Sequence, residues 1–309
     1  MRGSDMTDED FMGRRLGPAH ELVVMRRLGK GGGGAVWLGW DEKNQRSVAL
    51  KFLSAEYAAD SRHRERFIRE GRRFGALRHP NIVRVYGLSQ EGTHLYLVCE
   101  FVNGRTLHQL LKNEGQLKVR RALEITLAVA QGLAEAHAHG FVHRDLKPEN
   151  VMVRSEDGRI KILDFGIAKD LNATDDLTQL GHYLGTPAYS APEQVRGRIV
   201  DARADIFSLG VMLYELLSGR TAFEGRESSD VLNATLNEQP IPLIKLNRDV
   251  NTPVAALIER MIEKEPRKRI ADMKTVVCEL ESMLAAMGPE MSPAEETRVR
   301  TDLRGFFRE

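Results

Sequence analysis

The sequence predicts an α+β protein built from two units, a strand-rich first part and a larger, helix-rich second part. Its 309 residues suit two units of ~100–200 residues each. Short apolar and β-branched runs separated by turns dominate the first third of the chain, whereas helical periods dominate afterwards. The run from Asp205 to Gly219 is apolar on nearly every face yet too short to span a bilayer, so it predicts a buried central helix.

The composition narrows the classes of function. The chain carries 45 Lys and Arg against 44 Asp and Glu, a net charge of +1, so no global field favours nucleic acid or an anionic membrane as a partner. Cys99 and Cys278 lack metal-like spacing, which favours reduced thiols. The N-terminus has no apolar core, and no apolar run reaches the ~18 residues of a membrane span. We therefore expect a cytoplasmic protein or the intracellular domain of a longer one.

Further elements follow from local patterns. Residues 1–18 are polar and contain glycine, which predicts a flexible arm. Gly71 and Gly75 weaken the helix expected over 61–77 by ~1 kcal/mol each relative to Ala, so we expect its placement to be adjustable. Strands are expected at Leu22–Leu28, Val36–Trp40, Val48–Lys51, Leu95–Cys99 and Ile160–Leu163, and helices at Ser61–Leu77 and Leu117–Ala138.

Several glycines lie in the turn predicted between the first two strands. Gly29, Gly31 and Gly34 with Val36 follow the pattern G-x-G-x-x-G-x-V, in which backbone N–H groups can approach phosphate oxygens without a Cβ in the way. The pattern alone is weak, and no helix follows it, which argues against a dinucleotide site of the Rossmann type. The glycines at 32 and 33 leave the tip without a bulky side chain, so we expect a floppy lid.

A loop of functional side chains lies near the middle of the chain. His143, Arg144, Asp145, Lys147 and Asn150 fall within eight residues, and a proline at 148 prevents an ordinary helix there. Taken with the other motifs in their order along the chain, this loop resembles the catalytic loop of the protein kinases, most closely the bacterial serine/threonine class. The other motifs are the glycine turn, Val48-Ala49-Leu50-Lys51, Asp164-Phe165-Gly166 and Ala191-Pro192-Glu193.

This resemblance covers residues 20 to 286 and implies a bilobal fold. A small N-lobe, residues 19–102, would contain an antiparallel sheet and the helix called helix C in kinases. A larger, mainly helical C-lobe would span 103–286. Residues 287–309 would form an amphipathic helical tail whose apolar stripe packs on its own domain or on a second protomer.

The resemblance also implies the chemistry. Asp145 would orient the substrate hydroxyl and accept its proton, and Lys147 would steady the transferring phosphoryl group. The cofactors would be ATP and Mg²⁺, with Mn²⁺ as a substitute, and Asn150 and Asp164 would hold the metal. Lys51 would contact the phosphates and pair with Glu70. The alternative for Glu70 is an ordinary helical pair with Arg66 or Arg73.

Nucleotide contacts follow by the same resemblance. The backbone of Glu100 and Val102 would hydrogen-bond the adenine, with Cys99 as the gatekeeper beside it. Cysteine packs as a small hydrophobe, so packing is favoured over a thiol-reactive role. The side chains expected to sandwich the ring are Val36, Ala49 and Met152.

Regulation and substrate class lie in the segment from Asp164 to Glu193. Thr186 together with Lys147 is typical of serine/threonine kinases. Arg144, Lys169 and Arg66 resemble a pocket for a phosphothreonine, and phosphorylation could order the segment by charge-assisted hydrogen bonds. We expect autophosphorylation at Thr178 or Thr174, the alternative being constitutive activity. Two further residues, Glu193 and Arg269, would form a structural ion pair.

The function predicted is that of a serine/threonine protein kinase acting on proteins, with self-association through the tail or the lobes as a further expectation. A pseudokinase scaffold is the first alternative, but such proteins usually lose Lys51, Asp145 or Asp164, which are all present. A small-molecule phosphotransferase is the second. The Thr186 and Ala191-Pro192-Glu193 region, which by resemblance supports a peptide substrate, argues against it.

Overall fold

The smaller lobe is an antiparallel sheet with one helix packed on it. The computed structural model describes residues 11–31, 34–165 and 187–288. In that part of the chain, six strands lie in the order β1-β2-β3-β4-β6-β5. Their bounds are β1 Arg15–Leu16, β2 Leu22–Gly31, β3 Gly34–Asp41, β4 Arg46–Phe52, β5 Val85–Glu91 and β6 His94–Glu100. The glycine turn therefore joins two paired strands, with Gly29 opposite Val36 and Gly31 opposite Gly34.

Residues 11–18 correct the expectation of a flexible arm over 1–18. Phe11 is buried and stacks on Trp37 with ring centroids 5.3 Å apart, and Leu16 is buried in strand β1. Arg15 pairs with Glu42 at 2.7 Å. Aromatic stacking and burial of this kind stabilise a segment that a polar sequence average predicts to be loose. Residues 1–10 lie outside the described residues.

Two helices precede strand β5, α1 (Ala55–Ala59) and α2 (Ser61–Phe74). Asp60 caps α2 by accepting the N–H of Arg62 at 2.8 Å. The helix buries Phe67, Gly71 and Phe74. A Cβ at Gly71 would lie 2.8 Å from Cδ2 of Leu97, so the glycine permits close packing of the helix on the sheet.

The larger lobe is helical. Its α-helices are α3 Leu107–Glu114, α4 Val119–Ala138, α5 Pro192–Val195, α6 Arg203–Ser218, α7 Ser228–Asn237, α8 Leu243–Leu246, α9 Thr252–Met261 and α10 Met273–Ala286. Helix α6 is buried along nearly its whole length, as the apolar run from Asp205 predicts, and it ends at Gly219, whose φ of 70° is left-handed. Within the described ranges, no helix is both long enough and apolar enough to cross a bilayer.

A small second sheet connects the lobes. It consists of β7 (Gly104–Thr106), β8 (Val151–Arg154) and β9 (Ile160–Ile162) in that order. The N–H of Val83, from the smaller lobe, donates to the carbonyl of Ile162 at 2.9 Å, and the N–H of Ile162 donates to the carbonyl of Asn81 at 2.7 Å. The cleft between the lobes lies beside this junction.

Candidate active site

A cleft opens between the lobes. Val36, Ala49 and Lys51 line it from the sheet, and Glu100 lines it from the connection between the lobes. The other lining residues are Phe74, Val83, Val85, Leu97, Cys99, Ile162, Leu163, Asp164 and Phe165. The lining is apolar apart from the charged residues Lys51, Asp164 and Glu100, a distribution that suits a planar apolar ring with a charged extension.

The loop at 143–150 lies next to this cleft, because the N–H of Leu163, which lines the cleft, donates to the carbonyl of Asn150 at 2.8 Å. The proline at 148 starts a single 3₁₀ turn that ends at Asn150. Asn150 is buried and donates from Nδ2 to the Asp145 carbonyl at 2.8 Å and to its carboxylate at 3.3 Å. Nζ of Lys147 lies 3.6 Å from Oδ2 of Asp145. Both side chains therefore orient the carboxylate through the same oxygen, Oδ2.

A buried carboxylate of the larger lobe fixes the loop backbone. Asp205, at the start of α6, accepts the N–H of His143 at 2.7 Å and the N–H of Arg144 at 2.9 Å. Its Oδ2 also lies 2.8 Å from Nε2 of His137. Burial raises the pKa of Asp205, but these hydrogen bonds outweigh it, and the net shift is downward. Arg144 has a φ of 61°, a strained conformation for a residue with a side chain, which the anchor maintains.

His143 links the loop to the strand that precedes Asp164. Its Nε2 donates to the carbonyl of Leu163 at 2.8 Å, while its Nδ1 accepts the N–H of Asp145 at 3.2 Å. Its ring packs on Phe165 at 4.7 Å between centroids, and Phe165 packs on Phe74 of α2 at 4.8 Å. The two lobes thus share a column of rings beside the cleft.

Lys51 and Asp164 form an ion pair across the cleft. Nζ of Lys51 donates to Oδ1 of Asp164 at 2.7 Å. Desolvation inside the cleft raises the pKa of Asp164, although its side chain is 45% exposed, but the charge and the hydrogen bond of Lys51 outweigh this effect, so the pKa lies below its usual value. Asp164 has a φ of 51°, the second left-handed conformation at a candidate catalytic position.

The expected pairing of Glu70 with Lys51 is wrong for this conformation. Glu70 accepts from Nε of Arg69 at 3.2 Å and from Nη1 of Arg73 at 3.5 Å, while Lys51 pairs with Asp164. The alternative of a helical pair with Arg73 is what the structure contains. Helical neighbours are within reach wherever the helix sits, whereas a contact with Lys51 requires one particular placement of α2.

The polar end of the cleft offers oxygen ligands. Because Nδ2 of Asn150 faces Asp145, its Oδ1 is the atom that could bind a cation, and Asp164 supplies a carboxylate. Carboxylate and amide oxygens suit Mg²⁺, which usually keeps water and phosphate oxygens as its other ligands. Among residues 11–31, 34–165 and 187–288, no cluster of three or more His, Cys, Asp or Glu side chains could bind a metal. Such a two-residue site therefore fits a metal that arrives with phosphates.

The residues expected around the adenine are only partly on the cleft. Val36, Ala49 and Glu100 line it, while Val102 is buried and Met152 half-buried without lining it. The N–H of Glu100 donates to the carbonyl of Arg84 at 2.8 Å, so that amide is not the group that would contact a base. Burial raises the pKa of Cys99 to about 12, which supports packing rather than thiol reactivity.

The rear of the catalytic loop is supported by the segment after residue 187. Arg269 binds Glu193 through two hydrogen bonds of 2.8 and 3.0 Å, both side chains buried, as predicted. Arg66 and Arg144 lie near each other, since the charge of Arg66 lowers the pKa of Arg144, after the larger effect of burial. The other residues expected here, Lys169, Thr174, Thr178 and Thr186, lie outside the described residues.

Several residues that support the loop and the cleft were not predicted from the sequence. Gln194 donates from its side chain to the carbonyl of Arg144 at 2.9 Å, and Tyr189 donates to Glu215 at 2.5 Å. Lys161 pairs with Glu100 at 2.8 Å behind the cleft. Gln194 and Tyr189 could have been found as polar residues that flank the Ala191-Pro192-Glu193 motif. No sequence feature near Lys161 indicates that its partner is Glu100.

A sheet lobe and a helical lobe enclose a cleft lined by Lys51 and Asp164, and Asp145 and Asn150 lie on the adjacent loop. This arrangement defines a two-lobed phosphotransferase of the protein kinase type. The family described as "Protein kinase domain" matches residues 22–280. The chain belongs to this family, and the bilobal kinase fold expected from the sequence is confirmed. Protein kinases as a family use ATP and a divalent metal.

Curated relatives narrow the class. The chain is 37% identical over 279 residues to the serine/threonine-protein kinase PknB of Mycolicibacterium smegmatis, covering 87% of this chain and 44% of the relative. It is 41% identical over 251 residues to PknA of Mycobacterium tuberculosis, covering 80% and 57%. The match to pkn2 of Myxococcus xanthus is 40% identical and covers 80% and 30%. The chain thus spans between 30% and 57% of the length of these relatives.

A solved structure agrees with these relatives. The crystal structure of the Mycobacterium tuberculosis PknI kinase domain superposes with a TM-score of 0.67 at 29% identity, covering 85% of this chain and 96% of that one. The resemblance to bacterial serine/threonine kinases is therefore confirmed at the level of family and fold.

Proposed function

We propose that this domain transfers the γ-phosphoryl group of ATP to serine and threonine hydroxyls of proteins, including its own. The observation that carries the proposal is the environment of Asp145. Asn150 and Lys147 orient its carboxylate, and Asp205 fixes the backbone on its N-terminal side. A hydroxyl placed beside this carboxylate would find a proton acceptor already in position.

The remaining roles follow from position. Asn150 and Asp164 would hold Mg²⁺, or Mn²⁺ in its place, and the metal would neutralise charge on the phosphates. Lys51 would contact the phosphates, and Lys147 the transferring group. Gly29, Gly31 and Gly34 would cover the phosphates with backbone N–H groups. Val36 and Ala49 would pack on the adenine, with the carbonyl of Glu100 and the backbone of Val102 as its polar contacts.

Substrate class and regulation remain proposals of the same kind. Thr186 would support a protein hydroxyl substrate, and a phosphate on Thr178 or Thr174 would bind Arg144, Lys169 and Arg66. We also propose a cytoplasmic location, since ATP is supplied there. Self-association through the lobes or the tail is a further proposal. The retention of Lys51, Asp145 and Asp164, together with the names of the relatives, counts against a pseudokinase scaffold.

The test is incubation of phosphatase-treated protein with ATP and Mg²⁺, followed by mapping of phosphate by mass spectrometry. We expect phosphothreonine on the wild type and a rate at least about 100-fold lower for Asp145→Asn, because general base catalysis supplies ~10²–10⁴ in rate. Asp157→Asn, an exposed aspartate in the turn after β8, is the matched control and should retain activity. An Asp145→Asn protein as active as the control would refute the role of Asp145.

A further inference from the structure

One side of helix α2 carries a row of arginines. Arg62, Arg66, Arg69 and Arg73 follow one another at intervals of four, three and four residues. At 3.6 residues per turn these positions lie within about 60° of one another, and at 1.5 Å per residue they extend over roughly 16 Å. We call these four residues the arginine stripe. It matches the length of a short extended peptide rather than that of a single ion.

The stripe is accessible and concentrates positive charge on a chain that is nearly neutral. The side chains of Arg62, Arg69 and Arg73 are 78%, 65% and 51% exposed, whereas the whole chain has a net charge of +1. The pKa of Arg66 is lowered by burial and, next in size, by the charge of Arg69. Like charges along the stripe therefore repel one another, and an anionic ligand would relieve that repulsion.

Two arginines of the stripe hold the carboxylate of Glu70. Its side chain is 15% exposed, and its Oε1 accepts from Arg69 at 3.2 Å, while both of its oxygens lie 3.5 Å from Nη1 of Arg73. Lys51 meanwhile pairs with Asp164 at 2.7 Å. In this conformation Glu70 is therefore bound to Arg69 and Arg73 and not to Lys51.

We propose that the arginine stripe is a docking surface for an acidic protein segment, and that docking there releases Glu70 to Lys51. The occupant is a peptide stretch bearing carboxylates or phosphates, because only an anion of this length could engage several of these guanidiniums at once. Ion pairs of exposed side chains are individually weak, so a multivalent anion can displace Glu70 from Arg69 and Arg73. The regulatory consequence rests on the proposed kinase function.

The first experiment measures the release without catalysis. Carbodiimide treatment in the absence of ATP joins a lysine to a carboxylate in contact with it, and mass spectrometry then compares the Lys51–Glu70 and Lys51–Asp164 crosslinks. In the double variant Arg69→Gln/Arg73→Gln, we expect the Lys51–Glu70 fraction to rise at least about 3-fold, the scale of one weak exposed ion pair. Arg72→Gln removes an exposed arginine of the same helix that lies off the stripe and is the matched control. An unchanged fraction in the double variant would overturn the release of Glu70.

The second experiment tests the ligand. Labelled hexaglutamate, a peptide with three phosphoserines and hexaglutamine are titrated against the wild type and both variants, with binding followed by fluorescence anisotropy. Binding of either anionic peptide to the wild type and to Arg72→Gln, weakened at least about 10-fold in the double variant, would support the stripe, and the stronger of the two would identify the anion. Equal binding to the double variant, or binding of hexaglutamine, would overturn it.

Kinetics then connect the two results. The bound anionic peptide should raise kcat/KM for ATP on a fixed peptide substrate in the wild type, whereas the double variant should start high and not respond. Binding without any rise would overturn the coupling. A protein that shows the crosslink shift and peptide binding but no phosphoryl transfer would refute the proposed function alone, since neither of those readouts needs catalysis.

Discussion

The loop at 143–150 and helix α2 hold their functional groups in opposite ways. The loop is fixed by Asp205, a buried carboxylate that accepts two backbone N–H groups and contacts His137. Glu70 of α2 is held by Arg69 and Arg73, whose side chains are mostly exposed. A buried charge with several hydrogen bonds has no low-energy alternative, whereas a carboxylate beside exposed guanidiniums can exchange partners. The loop at 143–150 is therefore preorganised, whereas Glu70 of α2 can exchange its ion-pair partner.

The largest expected effect comes from breaking the buried anchor. In Asp205→Asn, an amide replaces one carboxylate oxygen, so one of the N–H groups of His143 and Arg144 would face a donor. Loss of one partner in a buried charged network costs about 3–5 kcal/mol. We expect denaturant unfolding to show a decrease of that size in the free energy of unfolding, together with a large loss of kcat as the loop loses its support.

Asp201→Asn is the matched control for this change. Asp201 lies just before the same helix, but its side chain is 50% exposed and pairs with Arg203 at 2.6 Å. We expect its loss to cost less than about 1 kcal/mol, as for other exposed pairs. Equal effects of the two substitutions would contradict the claim that the buried Asp205 anchors the loop more strongly than an exposed ion pair could.

The sequence predicts the fixed loop at 143–150 better than it predicts the contacts of helix α2. Motif residues that lie on one short loop, such as Asp145 and Asn150, come together because the chain between them is short and fixed by a proline. Asp205 begins the apolar run that predicts a buried helix, and a buried carboxylate requires polar partners. The ion-pair partner of Glu70 was not predictable, because pairing with Lys51 rather than with the arginines depends on the position of α2. The burial of Phe11 was not predictable either, because one aromatic residue in a polar stretch produces no periodic signal.

A smaller effect tests how closely α2 rests on the sheet. In Gly71→Ala, the new Cβ would lie 2.8 Å from Cδ2 of Leu97 and 3.1 Å from Cδ1 of Leu88. Overpacking costs about 1–3 kcal/mol, partly offset by the ~1 kcal/mol by which alanine favours a helix. We therefore expect a net destabilisation of up to about 2 kcal/mol in denaturant unfolding. The Lys51–Glu70 crosslink should also decrease, because the methyl group pushes α2 away from the sheet.

Gly87→Ala, in strand β5, is the control for replacing a glycine without overpacking, because a Cβ there meets nothing within 4 Å. It should leave both measurements unchanged. A Gly71→Ala protein that is more stable than the wild type would mean that Leu97 repacks freely. The contact between α2 and the sheet would then place no limit on the helix.

The smallest effect concerns Lys264, a half-buried cation of the larger lobe that pairs with no carboxylate among the residues that the structure describes. Lys264 donates to the carbonyl of Thr235 at 2.7 Å and lies 3.6 Å from the centre of the Phe223 ring. Burial lowers its pKa to about 8, below the ~10.4 of an unfolded lysine. Between these two values the unfolded chain binds more protons than the folded one, so stability should rise with pH in that window.

The variant Lys264→Met keeps the apolar stem on Phe223 and removes the titrating group. Against this variant, the wild type should gain up to about 1 kcal/mol of unfolding free energy between pH 8 and 10, less than the two pKa values imply because the ammonium is only partly shielded from water. Lys268→Met, an exposed lysine paired with Glu265, should give the wild-type profile. A profile for Lys264→Met that rises as steeply as the wild type would show that the pKa of Lys264 is the same in the folded and the unfolded chain. The carbonyl of Thr235 and the ring of Phe223 would then compensate its burial as fully as hydrogen bonds compensate that of Asp205.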